Sequence, residues 1–134
     1  MPKDRKIIMV GFMQAQNCSN YPASWRHMES AGDFLTPNYY RRIARALEDG
    51  KFHFGFFDDR LALPDIYGAD HKEAVKNGIR VVKMDPIPIL ATMAMSTTHL
   101  GLAATLSTTY YEPFHVARVF QTLDLMSEGR AAWN

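Results

Sequence analysis

Cys18 is the only cysteine in the 134 residues. An intrachain disulfide is therefore excluded, and with it the small disulfide-stapled secreted folds. The triplet Asn17-Cys18-Ser19 fits a glycosylation sequon, but three-residue patterns arise by chance and nothing else points to secretion. The apolar run Ile7 to Met13 is too short for a bilayer span, and too short for a signal h-region followed by a cleavage site. A cytoplasmic protein without a membrane partner is the expectation. Charge of one sign is also missing. Lysine plus arginine number 15, aspartate plus glutamate 14, and the net charge is +1. No basic excess points to nucleic acid. The five histidines have no metal-ligand spacing, and one cysteine cannot make a Cys-x-x-Cys pair, so no metal is expected. Gly-x-Ser-x-Gly is absent, as are the glycine-rich phosphate turns of dinucleotide-binding and P-loop folds.

What is present is a globular composition, 47% hydrophobic and 22% charged. Ile7 to Met13 is continuously apolar, which suits a parallel strand buried on both faces. Gln14 to about Leu35 reads as a long loop, and long loops in compact domains are often functional. Thr36-Pro37 opens a helix whose stripe is Tyr40, Ile43, Ala44 and Leu47, with Gly50 placed to end it. Phe52 to Phe57 is the second strand and ends in Asp58-Asp59. After a loop from Arg60 to Met84, Asp85-Pro86 opens a helix with stripe Ile87, Leu90, Ala91 and Ala94. His99 to Leu106 is the third strand. Glu112-Pro113 opens a helix with stripe Val116, Val119, Phe120, Leu123 and Met126, ended by Gly129. Arg130 to Asn134 reads as a fourth strand.

The order βαβαβαβ implies an α/β fold with parallel strands. It admits an open doubly wound sheet, or part of a TIM (β/α)₈ barrel, which is usually about 250 residues long. Residues 1–134 are read as a single incomplete domain, because a chain ending inside a strand leaves an unpaired edge. Ligands meet the carboxyl ends of parallel strands. Those ends carry Asp58-Asp59, Thr105 to Thr109 and Asn134, an acid, hydroxyls and an amide suited to a polar ring. For any one of them, solvating or turning a loop is the competing role. His27, beside Trp25-Arg26 in the first loop, is a pocket candidate. Cys18 lies near where a substrate would lie. Tyr110 and Tyr111 stand where they could wall a pocket, with packing as the plainer alternative, and Met84, Met93 and Met95 suit helix core.

Several segments carry a resemblance: Ser24-Trp25-Arg26-His27, Gly50-Lys51-Phe52 through Phe57-Asp58-Asp59, and Asp85-Pro86. Longer ones are Ala104 to Tyr110, Pro113 to Arg118, Thr122-Leu123-Asp124, and Gly129 to Asn134. In order and spacing the chain resembles the N-terminal portion of the bacterial luciferase-like flavin-dependent monooxygenases. The nearest branch is that of the nitrilotriacetate, dibenzothiophene-sulfone and long-chain alkane monooxygenases. The resemblance implies a TIM barrel and a homo-oligomer. It implies reduced FMN as cofactor, supplied by a separate NAD(P)H-dependent flavin reductase, and insertion of one oxygen atom of O2 into a small organic substrate. It implies that Asp59, Thr105 and Asn134 lie at the flavin, and that Trp25, His27 and Cys18 lie at the substrate pocket. The family usually has a small residue or proline where Asp58 stands, and a second carboxylate there disfavours a flavin anion.

The family's later segments, including its phosphate site, are not in this sequence. The chain is therefore expected to be a fragment, inactive alone. Two other readings stay open: a non-enzymatic α/β module that dimerises or complements a missing half, and a small flavodoxin-like binding protein.

Overall fold

The computed structural model describes residues 6–17, 21, 23–30 and 32–134. Four strands form one sheet: β1 (Val10–Gln14), β2 (Phe54–Asp58), β3 (Gly101–Ala104) and β4 (Ala131–Trp133). All pairings are parallel, in the order β1-β2-β3-β4. Helices α1 (Pro37–Asp49), α3 (Pro86–Ala94) and α4 (Pro113–Met126) make the three crossovers. Two short elements fall in segments that read as loops: a 3-10 turn, Ser24–Arg26, and a five-residue helix, α2 (Lys72–Lys76).

The strands begin later than apolarity suggests. Ile7, Ile8 and Met9 lie outside β1 and are exposed. Asp85 accepts a hydrogen bond from the Ile87 amide at 2.8 Å, so the cap-plus-proline signature starts α3 as written. Thr36 and Glu112 cap no amide with their side chains. Gly50 follows α1 with φ −74°, and the left-handed residue is Lys51 at φ 61°. Gly129, at φ +83°, does end the turn after α4 in the region glycine favours.

Alternation along the strands separates two faces. Met13, Phe57, Ala104 and Trp133 form one cross-strand row, facing the helices. Phe57 meets Tyr40 of α1 at 6.0 Å between ring centroids, and Trp133 meets Phe120 of α4 at 6.4 Å. The core lies there: Phe57, Leu90, Met93 and Leu102 are fully buried. Each contributes about 1.5–3 kcal/mol of apolar burial. Two predicted stripes need correction. Ala91 and Met126 are exposed, and Ile89 and Met93 take the buried positions of α3. Met84 packs against the core, whereas Met95 is exposed. The opposite face carries Phe12 and Phe56, whose rings lie 5.7 Å apart, and Phe12 is 53% exposed. Helices on one face only, with strands added in sequence order, describe the wall of a barrel. A doubly wound sheet would reverse its strand order and cover both faces.

Two polar hubs hold the end of the sheet away from the carboxyl rim. The Glu48 carboxylate accepts from three successive amides, Thr98 at 2.9 Å, His99 at 2.5 Å and Leu100 at 3.0 Å, tying α1 to the turn before β3. Burial alone would push this carboxyl up. The amide bonds, with His99 nearby, outweigh it and hold the group below the usual carboxylate range. A depressed carboxyl adds stability that is present above its unfolded value and is lost as pH falls through the folded one. Wild type is therefore expected to lose urea resistance more steeply below about pH 4.5 than Glu48→Gln. Parallel slopes in urea titrations at pH 3–7 would refute this. The second hub is Arg130. Its guanidinium donates to the carbonyls of Ser127, Leu100 and Ala94 at 2.7, 3.0 and 3.1 Å, and to Thr97 Oγ1 at 2.9 Å.

Candidate functional site

The register of the sheet creates a polar row at its carboxyl rim. Gln14 is paired with Asp58, and one step beyond the last paired residues Thr105 stands between Asp58 and Asn134. All four lie on the Phe12–Phe56 face by alternation. Gln14 Nε2 donates to Asp58 Oδ2 at 3.0 Å, and Thr105 Oγ1 donates to Asn134 Oδ1 at 3.1 Å. Gln16 Nε2 donates in turn to Gln14 Oε1 at 2.9 Å. The backbone is continuous here, with Thr105 N donating to Phe57 O at 2.9 Å and Asn134 N to Ala104 O at 3.0 Å. Asp58 is balanced by Arg60, whose Nε lies 3.7 Å from Oδ2. The structure thus joins Thr105 and Asn134, the sequence candidates at these positions, and adds Gln14. Nothing in a glutamine at the end of an apolar run marks it. Only its even-numbered parity with Phe12 would have placed it.

Asp59 stands apart from this row. It lines a 320 Å³ cavity with Arg60, Lys83, Asp85 and Tyr111. Burial, then the Asp85 charge, push its carboxyl up, against the pull of Lys83. Lys83 is pushed down by burial, and its Nζ donates to the carbonyls of Arg60 and, at 3.2 Å, Ala62. The Tyr111 phenol is pushed up by burial and by Asp85 and Asp59. Tyr111 therefore walls a cavity as its position suggests, while Tyr110 is exposed.

A larger cavity of 720 Å³ opens beside β1. Its aromatic lining is Phe12, Trp25, Phe34, Tyr39, Tyr40 and Phe57, and Gln14, Gln16 and Asn17 reach it from the rim. Trp25 is held there by the turn that packs on it. A Cβ at Gly78, φ +64°, would sit 3.2 Å from the indole, so the close approach needs glycine. Asn17 Nδ2 donates to Gly78 O at 2.8 Å. Residues 82–84 then run back along 15–17 through an antiparallel bridge, Gln16 to Lys83. His27 does not line this cavity. It is exposed, and its Nδ1 accepts from the Glu29 amide at 3.2 Å. Cys18 lies outside the described residues. Among the described residues no group of His, Cys, Asp and Glu could hold a metal, and no helix is long and apolar enough to cross a membrane.

Known proteins are similar to this chain in sequence and fold. The dibenzothiophene-sulfone monooxygenase of Rhodococcus erythropolis is 47% identical across all of this chain, which covers 30% of that protein. The solved structure of a long-chain alkane monooxygenase superposes with a TM-score of 0.91 at 34% identity. That match covers 97% of this chain and 30% of the other. A riboflavin lyase, solved with modified FMN and riboflavin, gives 0.88 at 33% identity, over 97% of this chain and 29% of that one. The chain therefore spans about 30% of the length of such relatives, and its four strands correspond to the N-terminal part of their TIM barrel. The family profile described as luciferase-like monooxygenase matches residues 15–134, and with the fold and these relatives in agreement, the chain belongs to the luciferase-like monooxygenases.

Proposed function

We propose that this chain supplies the flavin-facing wall of an FMN-dependent monooxygenase, with Thr105 and Asn134 meeting the polar edge of the isoalloxazine and Asp59 standing beside it. The observation that carries this reading is the row Gln14–Asp58–Thr105–Asn134 on the inward face of the carboxyl rim. Donors and acceptors there are already fixed by one another, and a planar ring with alternating acceptors and donors finds complementary groups without reorganisation. The fit concerns the ring. Of the nearby cations, Lys83 donates to carbonyls and Arg60 pairs with Asp58 through Nε at 3.7 Å.

Bound reduced FMN supplies the electrons with which one atom of O2 enters an organic substrate and the other leaves as water. The residues of this chain bind and orient. Thr105 Oγ1 and the Asn134 amide fix the ring edge. Phe12 and Phe56 floor the site with apolar surface that excludes water. Asp58, paired with Arg60 at 3.7 Å, keeps a carboxylate near the ring that opposes a flavin anion. A flavin reductase supplying FMNH2, homo-oligomeric assembly and a cytoplasmic setting complete the proposal; the relatives' monooxygenase names, one of them a component A, support the oxygenation and a second component.

Titration of the chain with reduced FMN and with reduced lumiflavin, which lacks the phosphate, tests this. Similar affinities are expected for the two, and Thr105→Val should weaken both by up to about tenfold, the worth of one hydrogen bond. Equal affinity in wild type and variant, or no flavin binding by either, would count against the reading. Without the rest of the barrel no turnover is expected, and oxygenation of any substrate by the chain alone would overturn that part.

A second reading, a dimerising or complementing module, is favoured by one observation. β1 and β4 are the outer strands of the sheet, and Phe12 beside the β1 edge is half exposed. Light scattering on the sized protein decides: a monomer at all concentrations removes this reading.

A further inference from the structure

Asp59 and Lys83 line two cavities together, the 320 Å³ one and a narrow cleft that they share with Ala15, Gln16 and Asp58. A partly buried carboxylate ordinarily bonds a cation, because its charge is costly away from water. Among the described residues, neither Asp59 nor Asp85 forms a salt bridge. The Lys83 ammonium donates instead to two backbone carbonyls, Arg60 O and, at 3.2 Å, Ala62 O.

The backbone fixes where that ammonium stands. Gln16 bridges Lys83, Met84 N donates to Ala15 O at 2.8 Å, and Asn17 N donates to Val82 O at 3.2 Å. Lys83 thus sits on a short ribbon with the continuation of β1, and its side chain reaches the segment leaving β2, where Asp59 and Arg60 stand. Carbonyls orient an ammonium but carry no net charge, so they hold it without neutralising it. Burial disfavours the charged ammonium, Asp59 and Asp58 favour it, and Arg60 and Arg80 oppose it. From the other side, burial and then Asp85 disfavour the ionised Asp59, Lys83 favours it, Asp58 disfavours it, and the Arg60 amide favours it. The Tyr111 phenol on the same cavity is pushed above its ordinary value, so it is uncharged at neutral pH.

We infer that Lys83 is a positioning residue: a fixed counter-ion, held off Asp59 by the Arg60 and Ala62 carbonyls, that keeps the Asp59 carboxylate charged while leaving it able to accept a hydrogen bond from a ligand N–H. A salt bridge would occupy those oxygens, whereas a charge at a distance does not. That the ligand is the flavin ring rests on the reading above. The charge role does not.

The test follows the Asp59 carboxyl carbon by NMR through a pH titration of the whole chain. Lys83→Gln removes the charge and keeps a donor, Lys83→Met removes both, and Lys83→Arg keeps the charge. Circular dichroism checks the fold of each. The Asp59 midpoint should rise by about one pH unit or more in both neutral variants, as when a nearby opposite charge is lost. In Lys83→Arg it should stay within about 0.3 unit of wild type. Asp33, whose partner is Arg42, should not move in any of them. A purely structural role has the opposite sign, since a loosened segment would hydrate Asp59 and lower its midpoint. A fall or no change in the neutral variants overturns the inference, as does an equal rise in Lys83→Arg. Coupling is mutual, so Asp59→Asn should lower the Lys83 ammonium midpoint by a similar amount. That measurement decides where a Lys83 variant does not fold, and an unchanged ammonium midpoint overturns the inference. Reduced lumiflavin titrated at pH 7 separates the two ideas. Binding by wild type, with no Asp59 shift in the neutral variants, removes the counter-ion and leaves the flavin wall standing. The Asp59 shift without lumiflavin binding keeps the counter-ion and removes the ring as its ligand.

Discussion

Replacing Arg130 by methionine is expected to destabilise the chain by about 3 kcal/mol. Among the described residues its guanidinium makes no salt bridge to a carboxylate. Its charge is met by three carbonyls and one hydroxyl. Ala94 is the last residue of α3, and Ser127 follows α4, so both carbonyls stand at the negative ends of helix dipoles. Methionine has similar length and keeps the apolar contacts, but it strands four acceptors in a partly buried site. Charged hydrogen bonds are worth about 1.5–3 kcal/mol singly and do not add fully. With a urea slope of about 1.5 kcal/mol/M, the midpoint should fall by about 2 M. Arg130→Lys should land between, since an ammonium cannot reach all four acceptors at once. A loss below about 1 kcal/mol for the methionine variant would mean that water replaces the guanidinium freely.

Gly101→Val should cost about 3 kcal/mol, by overpacking rather than by loss. Gly101 opens β3 directly opposite Phe54. A Cβ there would come within 2.3 Å of the Phe54 ring and 2.8 Å of the His53 carbonyl oxygen. The ring can turn aside, but the carbonyl belongs to the β2–β3 ladder, because Gly101 N donates to it at 2.9 Å. The strain therefore has two parts, and Phe54→Ala should relieve only one. In a double-mutant cycle, Gly101→Val with Phe54→Ala is expected to be milder than the sum of the single changes by about 1 kcal/mol or more. Strict additivity would show that the backbone clash carries the whole effect.

The fold was legible where local chemistry is decisive. Asp85-Pro86 writes its own helix start, and Gly129 its own stop, because cap and left-handed turn depend on neighbours in sequence. Stripes were less legible. In α3, Ile87, Ile89, Leu90 and Met93 are apolar on several sides, so periodicity cannot choose between Ala91 outside and Met93 inside. The five residues of α2 are too few for any period to show. Glu48 and Arg130 look like ordinary surface charges, since their partners are backbone groups about 50 and 30 residues distant.

At the carboxyl rim, Thr105 and Asn134 were expected as strand-end residues and through the family resemblance, and the structure joins them by a 3.1 Å hydrogen bond. The separation of Asp58 from Asp59 was not. It depends on β2 including Asp58, which sets the parity of the last side chain. One residue decides which carboxylate joins the row and which turns to Lys83 and Asp85.

The strictly sequential strand order also bears on how the chain acquires its structure. Each strand pairs with the one made just before it, so no strand waits for a distant partner. Pairing across one or two intervening helices keeps contact order modest, and folding can advance from the amino end as synthesis proceeds, at about 5–20 residues per second. Glu48 is made long before the amides of residues 98–100 that it will bind, and its carboxylate stays hydrated until the turn before β3 arrives. The bond to that turn then ties α1 to the segment that leads into the third strand.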